Sequence, residues 1–559
     1  MPLKVVVIGG VAAGPKAAAK IMRLDPTAEV TLLEKGQFIS FAGCGLPYYV
    51  SGVVKEQKDL MSTPIGVRRD PAFFQKVKNV KVLTETEALE IDRARKRIRA
   101  RRNGAAEDFW LDYDKLVLAT GARPVIPPVP NATLANILTL HSVADADAIK
   151  ARLARNHGRD VVMIGGGLIG VETVEALVQC GCRVTVVERL PQILRMLDWE
   201  MARLVEQHME AHGVQVMTHT EVQAFEGPGQ VTGVVTNRGR LPADLVVLGI
   251  GVKPNVELAR QAGLEIGPTG ALRVDAGLRT SDPDIYAAGD CAESTDLITR
   301  QPCYVPMGST ANKQGRVAAI NVCGGEDRFP GVLGSTVCQV FDFCVARTGL
   351  TEAAARQSGY APVTVLVPDA DRAHYMPTAR PVILKLVVDE RTRKLLGAQA
   401  VGPGAGDKRM DVAAMAITAG MTVDQLSKVD LCYAPPYSPA LDNLILAANV
   451  ARNKLDGLLH GLTASEVQQR LEARADFVLL DVRSPAEHQQ ERLPGSTFIP
   501  LGTLRARLDE LPRDKEIVTF CKASLRGYEA ARILQGAGFP NVRVMDGGLA
   551  AWPFAKLSG

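Results

Sequence analysis

The stretch KVVVIGGVAAG (residues 4–14), continued by AAAKIMRL (17–24) and EVTLLE (29–34), decides the fold. Val5–Ile8 reads as a short buried strand, Gly9, Gly10 and Gly14 as a turn, the next residues as a helix through Arg23, and 29–34 as a second strand ending on Glu34. Glycines let backbone come close to a pyrophosphate, and a helix N-terminus offers it unpaired amides and a partial positive charge. An acid at the end of the second strand accepts hydrogen bonds from ribose hydroxyls. The apolar N-terminus also resembles a short signal-peptide core. The helix-forming run after the glycines favours the buried strand.

The pattern recurs about 155 residues on. DVVMI (160–164) leads into Gly165, Gly167 and Gly170, the helical VETVEALVQC, and a strand RVTVVE that ends on Glu188. One such glycine motif is weak evidence. Two, each with strand, helix and acid in place, predict two dinucleotide sites. Glu188 disfavours a 2′-phosphate, so NADH is expected, while Arg189 beside it keeps NADPH possible. In the first unit Val11 replaces the middle glycine.

Composition narrows the class. The chain has 559 residues, a net charge of +4, 47% hydrophobic and 23% charged residues. It can bury several cores, and it lacks the concentrated basic face of a nucleic-acid binder. No apolar run reaches the roughly 18 residues of a membrane span. The ten cysteines are scattered, without C-x-x-C or paired Cys/His spacing. That predicts no structural zinc, no metal site, and free thiols in a reducing cytoplasm. Residues 380–401 alternate as two strands, helical periodicity returns at 410–419 and 439–452, and the pattern breaks at 453–462, read as a linker. Residues 463–559 read as a small α/β unit.

The motifs GGVAAG (9–14), ATGARP (119–124), GGGLIG (165–170) and TSDPDIYAAGDCAE (280–293) resemble those of the flavin-dependent pyridine nucleotide-disulfide oxidoreductases. The resemblance implies an α/β protein with two dinucleotide-binding (Rossmann-like) domains and an α+β dimerisation domain. FAD would lie on 1–149 and 251–325, NAD(H) on 150–250, and dimerisation on 326–452. FAD would meet Gly9, Gly10, Ala12, Ala13, Gly14, Glu34, Lys35, Ala119, Thr120, Gly121, Gly289 and Asp290, with Asp290 on the ribityl chain. NADH would meet Gly165, Gly167, Leu168, Ile169, Gly170, Glu188 and Gly251.

SFAGCGLPYY (40–49) decides the branch: Cys44 stands alone where dithiol members carry two cysteines. A single thiol beside a flavin can cycle through a mixed disulfide, a persulfide or a sulfenic acid. The segment looks like coenzyme A-disulfide reductases, with Ser40 and Cys44 in matching positions and Gly43 where that family usually has Asn. Such enzymes take tyrosines from the partner subunit of a homodimer. DLCYAPPYSPALDN (430–443) points to Tyr433, and RAHYMPTA (372–379) more loosely to Tyr375, with Met376 and Thr378 departing from the motif. A phenol there would protonate a leaving thiolate or hold the flavin-proximal sulfur.

KEIVTFCKASLR (515–526) places Cys521 at a strand end and Arg526 at a helix start, where loop amides and the guanidinium stabilise a thiolate. With LLDVRSPAEH (479–488) and MDGGLAAWP (545–553) it resembles a single-domain rhodanese. Asp481 and Arg483 are expected to stabilise that fold. The six-residue loop suits one sulfur carried as persulfide, where related phosphatases use a loop one residue longer. The resemblance implies an NADH-dependent reductase of coenzyme A persulfide, polysulfide or coenzyme A disulfide working through Cys44, with Cys521 delivering sulfane sulfur and coenzyme A as substrate or ligand. The alternatives are an NADH oxidase or peroxidase cycling through a Cys44 sulfenic acid, and a sulfur carrier or redox sensor acting on a protein partner.

Overall fold

A computed structural model describes residues 1–154 and 159–558. The chain divides into two compact units, Met1–Pro191 with Gly213–Val332, and Gln192–His212 with Leu333–Gly559.

The first unit holds two five-stranded parallel sheets of equivalent order. In one, Lys4–Ile8 lies between Glu29–Leu33 and Lys115–Leu118, with Val80–Leu83 and Ile285–Ala287 at the edges. In the other, Asp160–Ile164 lies between Arg183–Val187 and Leu245–Leu248, with Gln215–Met217 and Ile137–Thr139 at the edges. The central strands are apolar and buried because both faces of the sheet are covered, in the first sheet by helices such as Ala13–Leu24 on one side and by an antiparallel sheet on the other. Each sheet also has a three-stranded antiparallel companion in the chain, Thr86–Asp92 to Phe109–Asp112 and Val222–Glu226 to Gly239–Pro242. Both expected strand–glycine–helix–strand units are present, their helices running Ala13–Leu24 and Leu168–Gln179.

Gly9 and Gly165 show why glycine is required in both turns. Their φ angles are +111° and +99°, and an added Cβ would fall 1.9 Å from the Ala119 carbonyl oxygen and 2.6 Å from that of Gly249. The turn is thus pressed against the end of the neighbouring strand. The helix amides therefore open on the carboxyl edge of the sheet, the ligand-binding edge of open α/β folds.

The second unit contains two five-stranded sheets. Thr336–Val340, Phe343–Gly349, Leu395–Gly402, Pro381–Asp389 and Pro362–Ala370 form an antiparallel sheet in that order. Helix Trp199–Ala211 belongs here: Asp198 accepts from Gln399 Nε2 at 2.7 Å, and the buried Lys385 ammonium pairs with Asp198, Glu200 and Glu352. Burying one ammonium is tolerable because three carboxylates surround it. The C-terminal sheet is parallel, ordered Gly461–Leu462, Val542–Met545, Glu516–Phe520, Phe477–Asp481 and Thr497–Phe498. The stretch 453–462 is not wholly a linker. Its first residues complete helix Asn443–Leu455, and Gly461–Leu462 pairs with Val544 and Met545. Among the described residues no helix is long and apolar enough to cross a membrane.

Candidate functional site

The two glycine turns are built alike down to their acids. Glu34 accepts from the Gly10 and Gly36 amides at 2.7 Å each, and Glu188 accepts from Gly166 at 2.8 Å and Leu190 at 2.9 Å. Each carboxylate first fixes its own turn, and its remaining lone pairs stay available to a ribose. Helices Ala13–Leu24 and Leu168–Gln179 have no side-chain cap and no acid in their first turn, and neither has helix Gly308–Val322. Three helix N-termini are thus left with amides for an anionic or carbonyl-bearing ligand. Ala12 and Ala13 open the first of these helices and Leu168 and Ile169 the second, while Lys35 is exposed beside Glu34. The Thr120 hydroxyl donates to the Asn255 carbonyl at 2.6 Å and its carbonyl accepts from Asn255 Nδ2 at 2.9 Å, next to Gly121 at φ +67°. Gly251 sits at φ +105°, its carbonyl taking the Val125 amide at 3.0 Å. Gly289 donates to Gln314 at 2.8 Å, and Asp290 follows with its carboxyl pushed up by burial. A desolvated carboxyl at the mouth of the first turn is a partner for a sugar hydroxyl. The donor and acceptor set fits FAD in the first crevice and NAD(H) in the second.

Cys44 sits in the tight turn Gly43–Gly45 before helix Leu46–Ser51. The turn is tied to the first glycine loop: Ser40, at φ +50°, donates its amide to the Gly10 carbonyl at 2.7 Å, and Ala42 donates to Leu60 at 2.8 Å. Ser40 thus positions the loop through its backbone. Cys44 is exposed as a residue, yet partial desolvation of its sulfur raises the thiol pKa, and the charges of Glu172 and Asp290 raise it further. Glu172 was not among the expected site residues. Burial and then Glu175 push its carboxyl up to about 7. The available signal was an acid two residues past Gly170, on the helix that opens the second crevice.

Tyr433 and Tyr375 are 53% and 64% exposed, which excludes core packing for either. Their two segments are laced together. Arg372 donates to the Pro436 carbonyl at 3.2 Å and Asn443 to the Ala370 carbonyl at 2.9 Å. The buried Arg409 donates to the Asp371 carbonyl at 2.6 Å and pairs with Asp442 at 3.0 Å. No sequence spacing singles out Arg409.

Cys521 is buried at the end of Glu516–Phe520, and helix Leu525–Gly536 begins four residues later. Leu549 and Ala550 donate their amides to the carbonyls of Cys521 and Lys522, at 2.9 Å each. Ser524, at φ +73°, turns the loop sharply and anchors it through its hydroxyl to the Met545 carbonyl at 3.2 Å. Arg526 is gripped by both oxygens of Glu487 at 2.7 Å each. That grip holds the guanidinium more firmly cationic than usual, and it drops the Glu487 carboxyl to about 2. Glu487 is thus a positioning residue that the sequence motif contained without assigning. Asp481 and Arg483 form a buried pair at 2.7 Å, and Arg483 also donates to the Glu491 carbonyl at 2.7 Å, the structural role expected of them.

Residues 3–315 match the pyridine nucleotide-disulphide oxidoreductase family, 335–445 its dimerisation domain, and 463–554 the rhodanese-like domain. An NAD(P)H sulfur oxidoreductase (CoA-dependent) of Pyrococcus abyssi is 40% identical over 80% of this chain and 98% of its own length. The structure of an NAD-dependent persulfide reductase from A. fulgidus is 47% identical with a TM-score of 0.95, covering 98% of this chain and 100% of that one. That of reduced Bacillus anthracis CoADR-RHD is 38% identical with a TM-score of 0.93, covering 99% of this chain and 98% of that one. The chain therefore belongs to the pyridine nucleotide-disulphide oxidoreductase family, as an FAD- and NAD(P)H-using enzyme with a C-terminal rhodanese-like domain.

Proposed function

We propose that the protein is an NADH-dependent reductase of coenzyme A persulfide, with polysulfide and coenzyme A disulfide as related substrates. The observation that carries this reading is the lone Cys44 in a turn anchored to the first glycine loop and faced by Asp290, in the same chain as an intact Cys521–Arg526 loop. When bound, NADH and FAD supply two electrons as a hydride equivalent. Cys44 attacks the sulfur–sulfur bond, keeps one half of the substrate covalently and releases the other as a thiolate. The net change converts coenzyme A persulfide, NADH and a proton into coenzyme A, hydrogen sulfide and NAD⁺. Cys521 attacks the outer sulfur of a sulfane donor such as thiosulfate, which leaves as sulfite, and Arg526 holds the negative charge of the resulting persulfide. Transfer to the coenzyme A thiol regenerates the substrate of Cys44. A simple disulfide reductase has no use for a sulfane carrier, which is why persulfide heads the substrates. The exposed Tyr433 and Tyr375 serve the site of a partner subunit in a homodimer, working in the cytoplasm. Anaerobic NADH oxidation with sulfide measured in parallel tests the reading against coenzyme A persulfide, coenzyme A disulfide, polysulfide and peroxide. Fast sulfide release from the persulfide is expected. Turnover on peroxide alone would replace the reading with a peroxidase.

A further inference from the structure

Helix Trp199–Ala211 ends against the hairpin of Thr336–Val340 and Phe343–Gly349, and His208, His212 and Asp342 meet there. One ring nitrogen of each histidine and one carboxylate oxygen lie within 4.8 Å of one another. His208 Nε2 is 2.9 Å from Asp342 Oδ1. It is nevertheless shielded from water and, close as the carboxylate is, makes no well-formed hydrogen bond. Buried polar nitrogens are nearly always satisfied, so this one calls for a partner along its lone-pair direction. His212 Nδ1 lies 2.8 Å from the His208 carbonyl oxygen. A carbonyl only accepts, so Nδ1 carries the proton and Nε2 keeps the lone pair of the neutral ring. This backbone contact is the usual support of a metal-binding imidazole. Both rings are already held in place: Phe343 stacks on His208 with centroids 3.6 Å apart, and Phe341 on His212 at 4.1 Å.

We infer that His208, His212 and Asp342 form a transition-metal site, suited to zinc, that ties the end of this helix to the hairpin. Two imidazoles and one carboxylate are borderline ligands that zinc accepts, and they supply too few oxygens for calcium or magnesium. Tetrahedral zinc at bond lengths of about 2.0–2.1 Å sets its ligand atoms roughly 3.3 Å apart, so small side-chain shifts close the site, with a water in the fourth position. The two histidines are spaced i, i+4, which puts both on one helix face. Attention to cysteine spacing passes over that pair, and the third ligand arrives from a distant hairpin.

The test uses the full-length flavoprotein, treated with chelator, loaded with zinc alone and desalted. Bound zinc is counted by mass spectrometry, and thermal unfolding is followed with and without it. Because thiols also bind zinc, a Cys44→Ser/Cys521→Ser double variant serves as background. One zinc per chain is expected in the wild type and in that background, with a rise in Tm. His212→Ala and Asp342→Asn should weaken zinc at least about tenfold. His208→Phe, which preserves the ring stack, should fold and bind none. Zinc retained by His208→Phe and His212→Ala, zinc lost with the two thiols, or no zinc in the wild type would each overturn the site.

Discussion

Cys44 and Cys521 both stand just ahead of a helix, yet their surroundings carry opposite charge. Cys44 lies on an exposed turn and faces the carboxylates of Glu172 and Asp290, which push its thiol up. Cys521 is buried and faces a guanidinium that Glu487 grips at 2.7 Å through both oxygens. The nucleophile in thiol chemistry is the thiolate, so these settings ask different things of one residue type. An anionic setting opposes formation of the Cys44 thiolate. A cationic setting suits a sulfur that must rest in the charged, persulfide state. On the proposed function, one thiol reacts in turn with electrons and the other stores sulfur.

The largest expected effect is a double dissociation. Cys44→Ser should lower NADH-driven sulfide release from coenzyme A persulfide by about a thousandfold or more, the scale of losing a catalytic nucleophile. It should leave transfer of sulfur from thiosulfate to a thiol intact. Cys521→Ser should do the reverse. Steady-state assays of the two half-activities decide it. If either substitution removes both, the thiols act as one site and the contrast between them fails.

Glu487→Gln sharpens the contrast from the Cys521 side. The variant keeps the Arg526 charge but loses the bidentate grip, so sulfur transfer should fall while persulfide reduction does not. Both partners are partly exposed, so the stability loss should be modest, about 1 kcal/mol after solvent screening. The pH dependence identifies the cause. The Glu487 carboxyl drops from its ordinary 4.5 to about 2 in the fold. Its stabilisation is therefore fully present above pH 4.5 and is lost as pH falls toward about 2. The gap in thermal unfolding between wild type and variant should be constant above that range and close within it.

The sequence made the architecture legible where local pattern and global fold agree. Both glycine turns, with Glu34 and Glu188 closing each unit, could be read because strand, turn, helix and acid follow in one short stretch. What stayed hidden was built from distant segments. Glu172 sits on the helix after the second glycine turn, and only the tertiary fold brings its charge to Cys44. Arg409 joins segments more than thirty residues from it on either side, at Asp371 and Asp442. Helix Trp199–Ala211 reads as part of the 150–250 domain, but its buried partners Gln399 and Lys385 belong to the second unit. Motifs report contacts that are close in sequence, and charge settings depend on contacts that are not.

Glu172→Gln tests the Cys44 side, with the smallest expected effect on the thiol chemistry. Glu172 titrates at about 7 in the fold against an ordinary 4.5, because burial penalises its charge. The unfolded chain releases this proton first, so the wild type loses stability as pH rises from 4.5 to about 7. The glutamine variant carries no such burden. It should be the more stable protein above pH 7, by up to about 3 kcal/mol for the full span and less where solvent screens the charge, with the advantage vanishing below 4.5. The same charge bears on the thiol. Once Glu172 is ionised it opposes formation of the Cys44 thiolate, so at pH 8 the variant should be alkylated severalfold faster by iodoacetamide, a neutral reagent that does not itself sense the carboxylate. At pH 6, where Glu172 is mostly neutral, the two proteins should react more nearly alike. Equal rates at both pH values would mean that Glu172 does not set the charge at Cys44, and the opposition between the two thiols would then rest on Asp290 and desolvation alone.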